Sequence, residues 1–109
     1  MTKRVHIIGA GLAGSQAALT LADRGVEVDL WEMRPLVGTP VHKTGLCAEL
    51  VCSNSLKSTS PVTAAGMLKR ELSVLGSEVY RIAQATAVPA GGALAVNRDE
   101  FARRVTAAI

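Results

Sequence analysis

The 109 residues suffice for one domain, and with 49% hydrophobic side chains a packed core is within reach of the composition. Aromatics are only 3%, which excludes base-stacking platforms and leaves the core to Ala, Val, Leu and Ile. The net charge of +3 hints at an anionic partner, yet the basic residues are dispersed as on a solvated surface rather than gathered into a nucleic-acid patch.

The chain opens with a short apolar strand, Val5–Ile8, that breaks into Gly9-Ala10-Gly11-Leu12-Ala13-Gly14. This Gly-x-Gly-x-x-Gly run is followed by a helical pattern with small apolar residues at Ala17, Ala18, Leu21 and Ala22, by Arg24 in the last turn, and by Gly25 as a stop. A second strand, Val26–Trp31, alternates with a period of two and ends beside Glu32, about 20 residues after the glycines. Strand, glycine turn, helix, strand and acid make up a dinucleotide-binding βαβ unit, so the fold class is α/β with a Rossmann-like unit. Gly9 turns the chain out of the strand, Gly11 lets backbone approach a pyrophosphate, and Gly14 lets the helix lie close to the sheet. The helix N-terminus presents free N–H groups and a positive dipole end to phosphate. Glu32 is placed to accept hydrogen bonds from a ribose diol and would repel a 2′-phosphate.

Residues 33–63 are rich in Pro, Gly, Ser and Thr and read mostly as a long active-site loop. Within it, residues 48–56 read as a buried turn or a short helix leading to Cys52. A free cysteine is more often a small buried hydrophobe than a nucleophile, so composition leaves both roles open. His42, Cys47 and Cys52 are spaced by five, a weak metal pattern without a tight pair. A Cys47–Cys52 disulfide is disfavoured in a reducing compartment.

Val62–Leu75 predicts a helix with Ala65, Leu68, Leu72 and Leu75 inward and Lys69, Arg70 and Glu71 on a solvated side. Residues 77–87 are helical or extended. Pro89–Gly92 is a turn and Ala93–Val96 a short strand. Asn97 and Glu100 suggest a capping box opening a last helix that runs to Ile109 without a cap. With too few strands for a complete flavin- or nicotinamide-binding fold, residues 1–109 are expected to be the N-terminal part of an FAD/NAD(P)-binding domain of a larger protein, or a shortened relative. No run reaches the roughly 18 apolar residues of a membrane span, and the apolar start is too brief for a signal peptide. The expectation is a cytoplasmic protein with reduced thiols and no membrane association.

Three stretches together resemble the N-terminal quarter of the folate- and FAD-dependent tRNA (uracil-5-)-methyltransferases, the TrmFO family. They are Gly9–Ser15, then Trp31–Pro35 with Ala48–Leu56, then Val88–Val96. The first is shared with many flavoproteins; Glu-Met-Arg-Pro, Glu-Leu-Val-Cys-Ser-Asn-Ser and Pro-Ala-Gly-Gly-Ala-Leu-Ala-Val are more specific. The resemblance implies FAD reduced by NADH or NADPH, methylenetetrahydrofolate as carbon donor, and a T-loop uridine of tRNA as acceptor, bound mostly through regions outside these residues. It implies a catalytic, flavin-side role for Cys52 and a cofactor site at Gly9, Ala10, Gly11, Leu12, Ala13, Gly14, Glu32 and Arg34, with no metal. Lys43, Gly45-Leu46-Cys47 and Asn97 depart from the family's usual residues. Two rival readings stand beside it. One is a shortened, non-catalytic FAD- or ADP-binding module. The other is the related flavoprotein that modifies the tRNA wobble uridine, against which Glu-Met-Arg-Pro argues.

Overall fold

In the computed structural model, which describes residues 3–109, strand β1 (Arg4–Ile8) leads into helix α1 (Leu12–Asp23), and β2 (Glu27–Trp31) returns parallel beside β1. Met1 and Thr2, with which the expected range 1–109 begins, lie outside the described residues. The register runs unbroken from Arg4 opposite Glu27 to Ile8 opposite Trp31. This is the βαβ unit expected from the glycine run, and the chain has an α/β, Rossmann-like fold. The buried side of α1 is shared only in part with the expected face. Ser15, Ala18 and Leu19 are buried, Ala17 and Leu21 are half-buried, and Ala22 is exposed. A face made almost wholly of alanine cannot set the rotation of a helix. Two other contacts set it: the Ser15 hydroxyl donates to the Ala10 carbonyl at 3.2 Å, and Leu19 joins the core.

The long segment after Glu32 is not all loop. It holds strand β3 (Ser55–Ser58), which the sequence does not announce because Leu56 is its single apolar residue. Two further strands, β4 (Ala87–Val88) and β5 (Ala93–Val96), complete a second sheet of order β3-β5-β4, antiparallel throughout. β3 owes its existence to the edge that β5 offers, and its irregular register accompanies a positive φ of 71° at Lys57. The stretch 48–56 resolves as a turn rather than a helix, with Ala48 fully buried.

Helix α2 (Ala64–Val74) is capped by Thr63, whose hydroxyl accepts from the Gly66 N–H at 3.1 Å. Its buried positions are Gly66 and Lys69, while Leu68 and Leu75 are 55% and 77% exposed. The helix is therefore rotated from the expected face: Ala65 and Leu72 stay half-buried and Arg70 and Glu71 exposed, while Leu68 and Leu75 turn outward and Lys69 turns in. A Cβ on Gly66 would lie 1.8 Å from the Ser60 carbonyl oxygen, so this side of the helix is pressed against the preceding loop, and Lys69 follows three residues on. Residues 77–87, open between helix and strand, are both: helix α3 (Glu78–Ala85), capped by Ser77, and then β4. The last helix, α4 (Arg98–Ala108), forms half of the expected capping box. Asn97 accepts from the Glu100 N–H at 3.1 Å, but its own N–H donates to the Thr86 carbonyl at 2.9 Å, and Glu100 pairs with Arg104 instead.

The core lies where α3, α4 and β5 meet. Phe101, Val105, Ile82, Ala83 and Val96 are almost fully buried there, joined by Leu19 of α1 and Ala48 from the loop. Among the described residues no helix is long and apolar enough to cross a membrane. Phe101 is the largest fully buried side chain, and Phe101→Ala is expected to destabilise the fold by about 3–5 kcal/mol. Urea unfolding followed by far-UV circular dichroism measures this; a loss below about 1 kcal/mol would move the centre of the core elsewhere.

Candidate functional site

The glycine turn continues the β1–β2 ladder by one bond, from the Gly9 N–H to the Trp31 carbonyl at 2.7 Å, and then leaves the sheet. Gly9 makes the exit with φ 99°, a conformation that side chains rarely adopt. Gly14 is demanded by packing, since its Cβ would lie 1.8 Å from the Gly9 carbonyl oxygen. Gly11 differs from both. Its backbone is extended and no protein atom lies within 4 Å of where its Cβ would be, so nothing inside the chain requires glycine there. It stands at the N-cap of α1, which has no side-chain cap, and the helix leaves the N–H groups of its first turn unpaired. Leu12 and Ala13 belong to that first turn.

Gly9 and Gly11 form one wall of an open cleft of about 500 Å³, and Trp31, Glu32, Met33, Arg34 and His42 form much of the rest. Glu32 Oε1 accepts from the Ala10 N–H at 3.0 Å. Its Oε2 accepts from the Arg34 backbone N–H at 3.0 Å and from Arg34 Nε at 2.7 Å. The Arg34 side chain, and then the two backbone N–H groups, hold the Glu32 carboxyl down at about 2, so it is ionised at neutral pH. A carboxylate has about four acceptor positions, and three are used here.

Arg34 is spent on the protein itself. Its side chain is 4% exposed, and beyond Glu32 it donates to the Thr44 carbonyl at 3.1 Å and the Leu46 carbonyl at 3.2 Å, with Glu49 Oε1 3.7 Å away. Glu49 in turn accepts from the Lys43 and Thr44 N–H groups, each at 2.8 Å, and from the Thr44 hydroxyl. Burial pushes Glu49 upward, but the Thr44 and Lys43 hydrogen bonds outweigh it and hold the group below its ordinary value. Ala10 is also turned inward: it is fully buried, and its carbonyl accepts from the Ala48 N–H at 2.8 Å. The sequence reading missed Glu49 and Ala48 as the residues that close this frame. Ala48 and Glu49 stand in the same specific run as Cys52, but only a fold shows that the run reaches back to the glycine turn.

Cys52 is not among the residues lining this cleft. It is exposed and borders a separate polar hollow of about 380 Å³ with Asn54, Asn97 and Arg98. Asn54 ties that loop to β5, donating from Nδ2 to the Val96 carbonyl at 3.2 Å and accepting from the Val96 N–H at 2.9 Å. Cys47 is free like Cys52, packs against the core, and its N–H donates to the Thr106 hydroxyl at 2.8 Å. His42 bonds Thr39 through Nδ1 at 2.6 Å. Among the described residues no three His, Cys, Asp or Glu side chains come together as a metal site.

A family model described as glucose inhibited division protein A matches residues 4–109, which takes in every element of this fold. The chain belongs to the glucose inhibited division protein A family. Among curated members with similar sequences, proteins of Pseudothermotoga lettingae, Rubrobacter xylanophilus and Moorella thermoacetica are 60%, 61% and 59% identical to it. The matches cover 94%, 94% and 98% of this chain and 23%, 23% and 24% of those proteins. Each is named methylenetetrahydrofolate–tRNA-(uracil-5-)-methyltransferase TrmFO. The resemblance drawn from the three sequence stretches thus extends over nearly the whole chain. The chain spans about a quarter of the length of these relatives.

The depressed Glu32 carboxyl makes stability depend on pH. Its contribution is full above the ordinary carboxyl value of 4.5 and is lost as pH falls towards about 2. In this family member, Glu32→Gln should remove up to about 3 kcal/mol of that acid-side loss. The measurement is the difference in urea stability between the two proteins from pH 6 down to about pH 2.5. Parallel curves would show that Glu32 does not carry the linkage.

Proposed function

We propose that this chain is the nucleotide-binding segment of a methylenetetrahydrofolate-dependent tRNA (uracil-5-)-methyltransferase, and that its cleft holds the ADP half of FAD. The observation that carries the reading is the pairing of Gly11 with Glu32. A glycine that no protein atom requires faces the same cleft as an ionised carboxylate with an acceptor position to spare. A pyrophosphate laid over Gly11 would meet the open N–H groups of Leu12, Ala13 and Gly14, where the helix dipole favours an anion by about 0.3–1 kcal/mol. Glu32 would accept from the ribose diol. Arg34 and Ala10 would act through Glu32, holding its carboxylate in place, rather than touch the nucleotide. Gly9 and Gly14 would shape the turn.

FAD bound here would supply a redox-active ring able to carry a one-carbon unit and a hydride. The nicotinamide nucleotide, NADH or NADPH, the folate donor and the tRNA acceptor follow from the resemblance and, for folate and tRNA, from the names of the relatives. In this reading residues 1–109 form the N-terminal part of the FAD-binding domain of a cytoplasmic enzyme, with 33–63 as its active-site loop region. Cys52 is the catalytic group of the segment: its thiol is exposed, and as thiolate it can take up a proton at Sγ or attack an electrophilic carbon. The second reading, a non-catalytic FAD- or ADP-binding module, is favoured by the separation of the Cys52 hollow from the cleft.

Two experiments test the proposal. Gly11→Val puts a branched side chain into the open space of the cleft. FAD titration should show affinity reduced at least about tenfold, with stability lowered only by the poorer N-cap, about 1 kcal/mol; equal affinity would remove the nucleotide from this site. For the thiol, residues 1–109 can replace the matching quarter of the Moorella thermoacetica relative. In that chimera Cys52→Ala should keep bound flavin and lose tRNA methylation, whereas Cys47→Ala, a change at a core-packed thiol, should leave the methylation rate nearly unchanged. Normal methylation by the Cys52→Ala chimera would favour the module reading.

A further inference from the structure

On α2 the buried side chain is a lysine, while Met67 and Leu68 beside it are more than half exposed. Lys69 is 7% exposed, and its Nζ makes one hydrogen bond, 3.3 Å long, to the Ala65 carbonyl of its own helix. Among the described residues no carboxylate pairs with it. An ammonium has three N–H groups to satisfy, and burying one with a single weak acceptor is costly. Burial accordingly pushes the Lys69 amine below its ordinary value. If packing were its only role, a leucine or methionine would fill the position without that penalty.

Lys69 lines a cavity of about 480 Å³ between α1, α2 and α3, whose walls are mostly apolar, from Leu12, Leu56, Leu72 and Val79. The volume lies in the range of small-molecule sites. Of the other polar residues on its wall, Gln16 and Ser77 are committed, and Tyr80 adds a phenol to the same lining as Lys69. Gln16 Oε1 accepts from the Ser77 hydroxyl at 2.5 Å and from the Val79 N–H at 3.3 Å, and Gln16 Nε2 donates to Thr20 at 2.7 Å. The cavity shares no lining residue with the cleft at Glu32, but Leu12 and Ala13 on its wall open the same helix turn that faces the proposed pyrophosphate, so the two sites adjoin at the start of α1.

We propose that this cavity is a second ligand site, for a small organic acid with an apolar body, whose anionic oxygens meet the Lys69 amine while the body covers the leucine and valine walls. A free phosphate does not fit this chemistry. It is strongly hydrated and would find one cationic side chain in a mostly apolar wall, whereas an apolar acid replaces water on both counts.

The test uses the full chain and two probes with the same rings, anionic 8-anilinonaphthalene-1-sulfonate and uncharged N-phenyl-1-naphthylamine. The sulfonate should bind at one saturable site. Lys69→Met should weaken it about tenfold or more and leave the uncharged probe within about twofold, while Lys69→Arg should retain the sulfonate. Bound sulfonate should also protect Lys69 of the unaltered chain from acetic anhydride, read by peptide mass spectrometry, an arm that requires no variant to fold. Saturating FAD should leave the sulfonate bound. Sulfonate affinity unchanged in Lys69→Met, absence of protection, or displacement of the probe by FAD would each overturn the site.

Discussion

Arg34 carries a full charge and five N–H groups into a place with 4% exposure, and the cleft is built from the way those needs are met. Nε goes to Glu32, the two terminal nitrogens go to the Thr44 and Leu46 carbonyls, and Glu49 stands close behind. Each partner lies on a different part of the chain: the end of β2, the loop after Pro40, and the turn before Cys52. A buried ion pair of this kind adds little net stability over apolar packing, but removing one partner leaves an uncompensated charge, so the arrangement tolerates no half measures. Its geometric effect is more important than its energy. It aims the Glu32 carboxylate at the Ala10 N–H and so fixes the acid against the glycine turn.

The same frame explains why a segment of more than twenty residues without strand or helix stays in place. The loop after β2 is closed at one end by Arg34 and Glu49 and at the Ala48 turn by the bond to the Ala10 carbonyl. Further on, Asn54 stitches it to β5. The segment that ends at the Cys52 loop is therefore tied to the glycine turn at Ala48 and to β5 at Asn54, although the turn and the Cys52 loop face separate hollows. The proposed division of labour, nucleotide at Glu32 and chemistry at Cys52, rests on a ligand that serves both hollows.

Helix α2 shows how a local contact can override a periodic pattern. Leucines at three- and four-residue spacing mark an inward face, yet the helix turns on Gly66, the position where backbone can approach Ser60. The rotation exposes Leu68 and Leu75 and takes Lys69 inside. A buried amine with one weak partner is the chemical consequence, and it is what separates the second cavity from an ordinary packing defect.

The βαβ unit is legible along the chain because strand, glycine turn, helix and acid are each local signals at fixed spacing. Gly9 needs a positive φ, Gly14 needs close packing, and Glu32 follows the second strand; all three can be read without knowing what lies elsewhere in the chain. The cap at Asn97 is local in the same sense, although Asn97 gave its N–H to Thr86 rather than to Glu100. Features that depend on partners far away in sequence emerge only once the chain is folded. β3 has too little apolar pattern to declare itself and forms because β5 presents unpaired backbone. Arg34 looks like a ligand-binding cation until Thr44, Leu46 and Glu49 close around it. Lys69 looks solvated until Gly66 meets Ser60. Hydrogen-bond capacity and close backbone approach are settled between segments, and no period along a single segment encodes them.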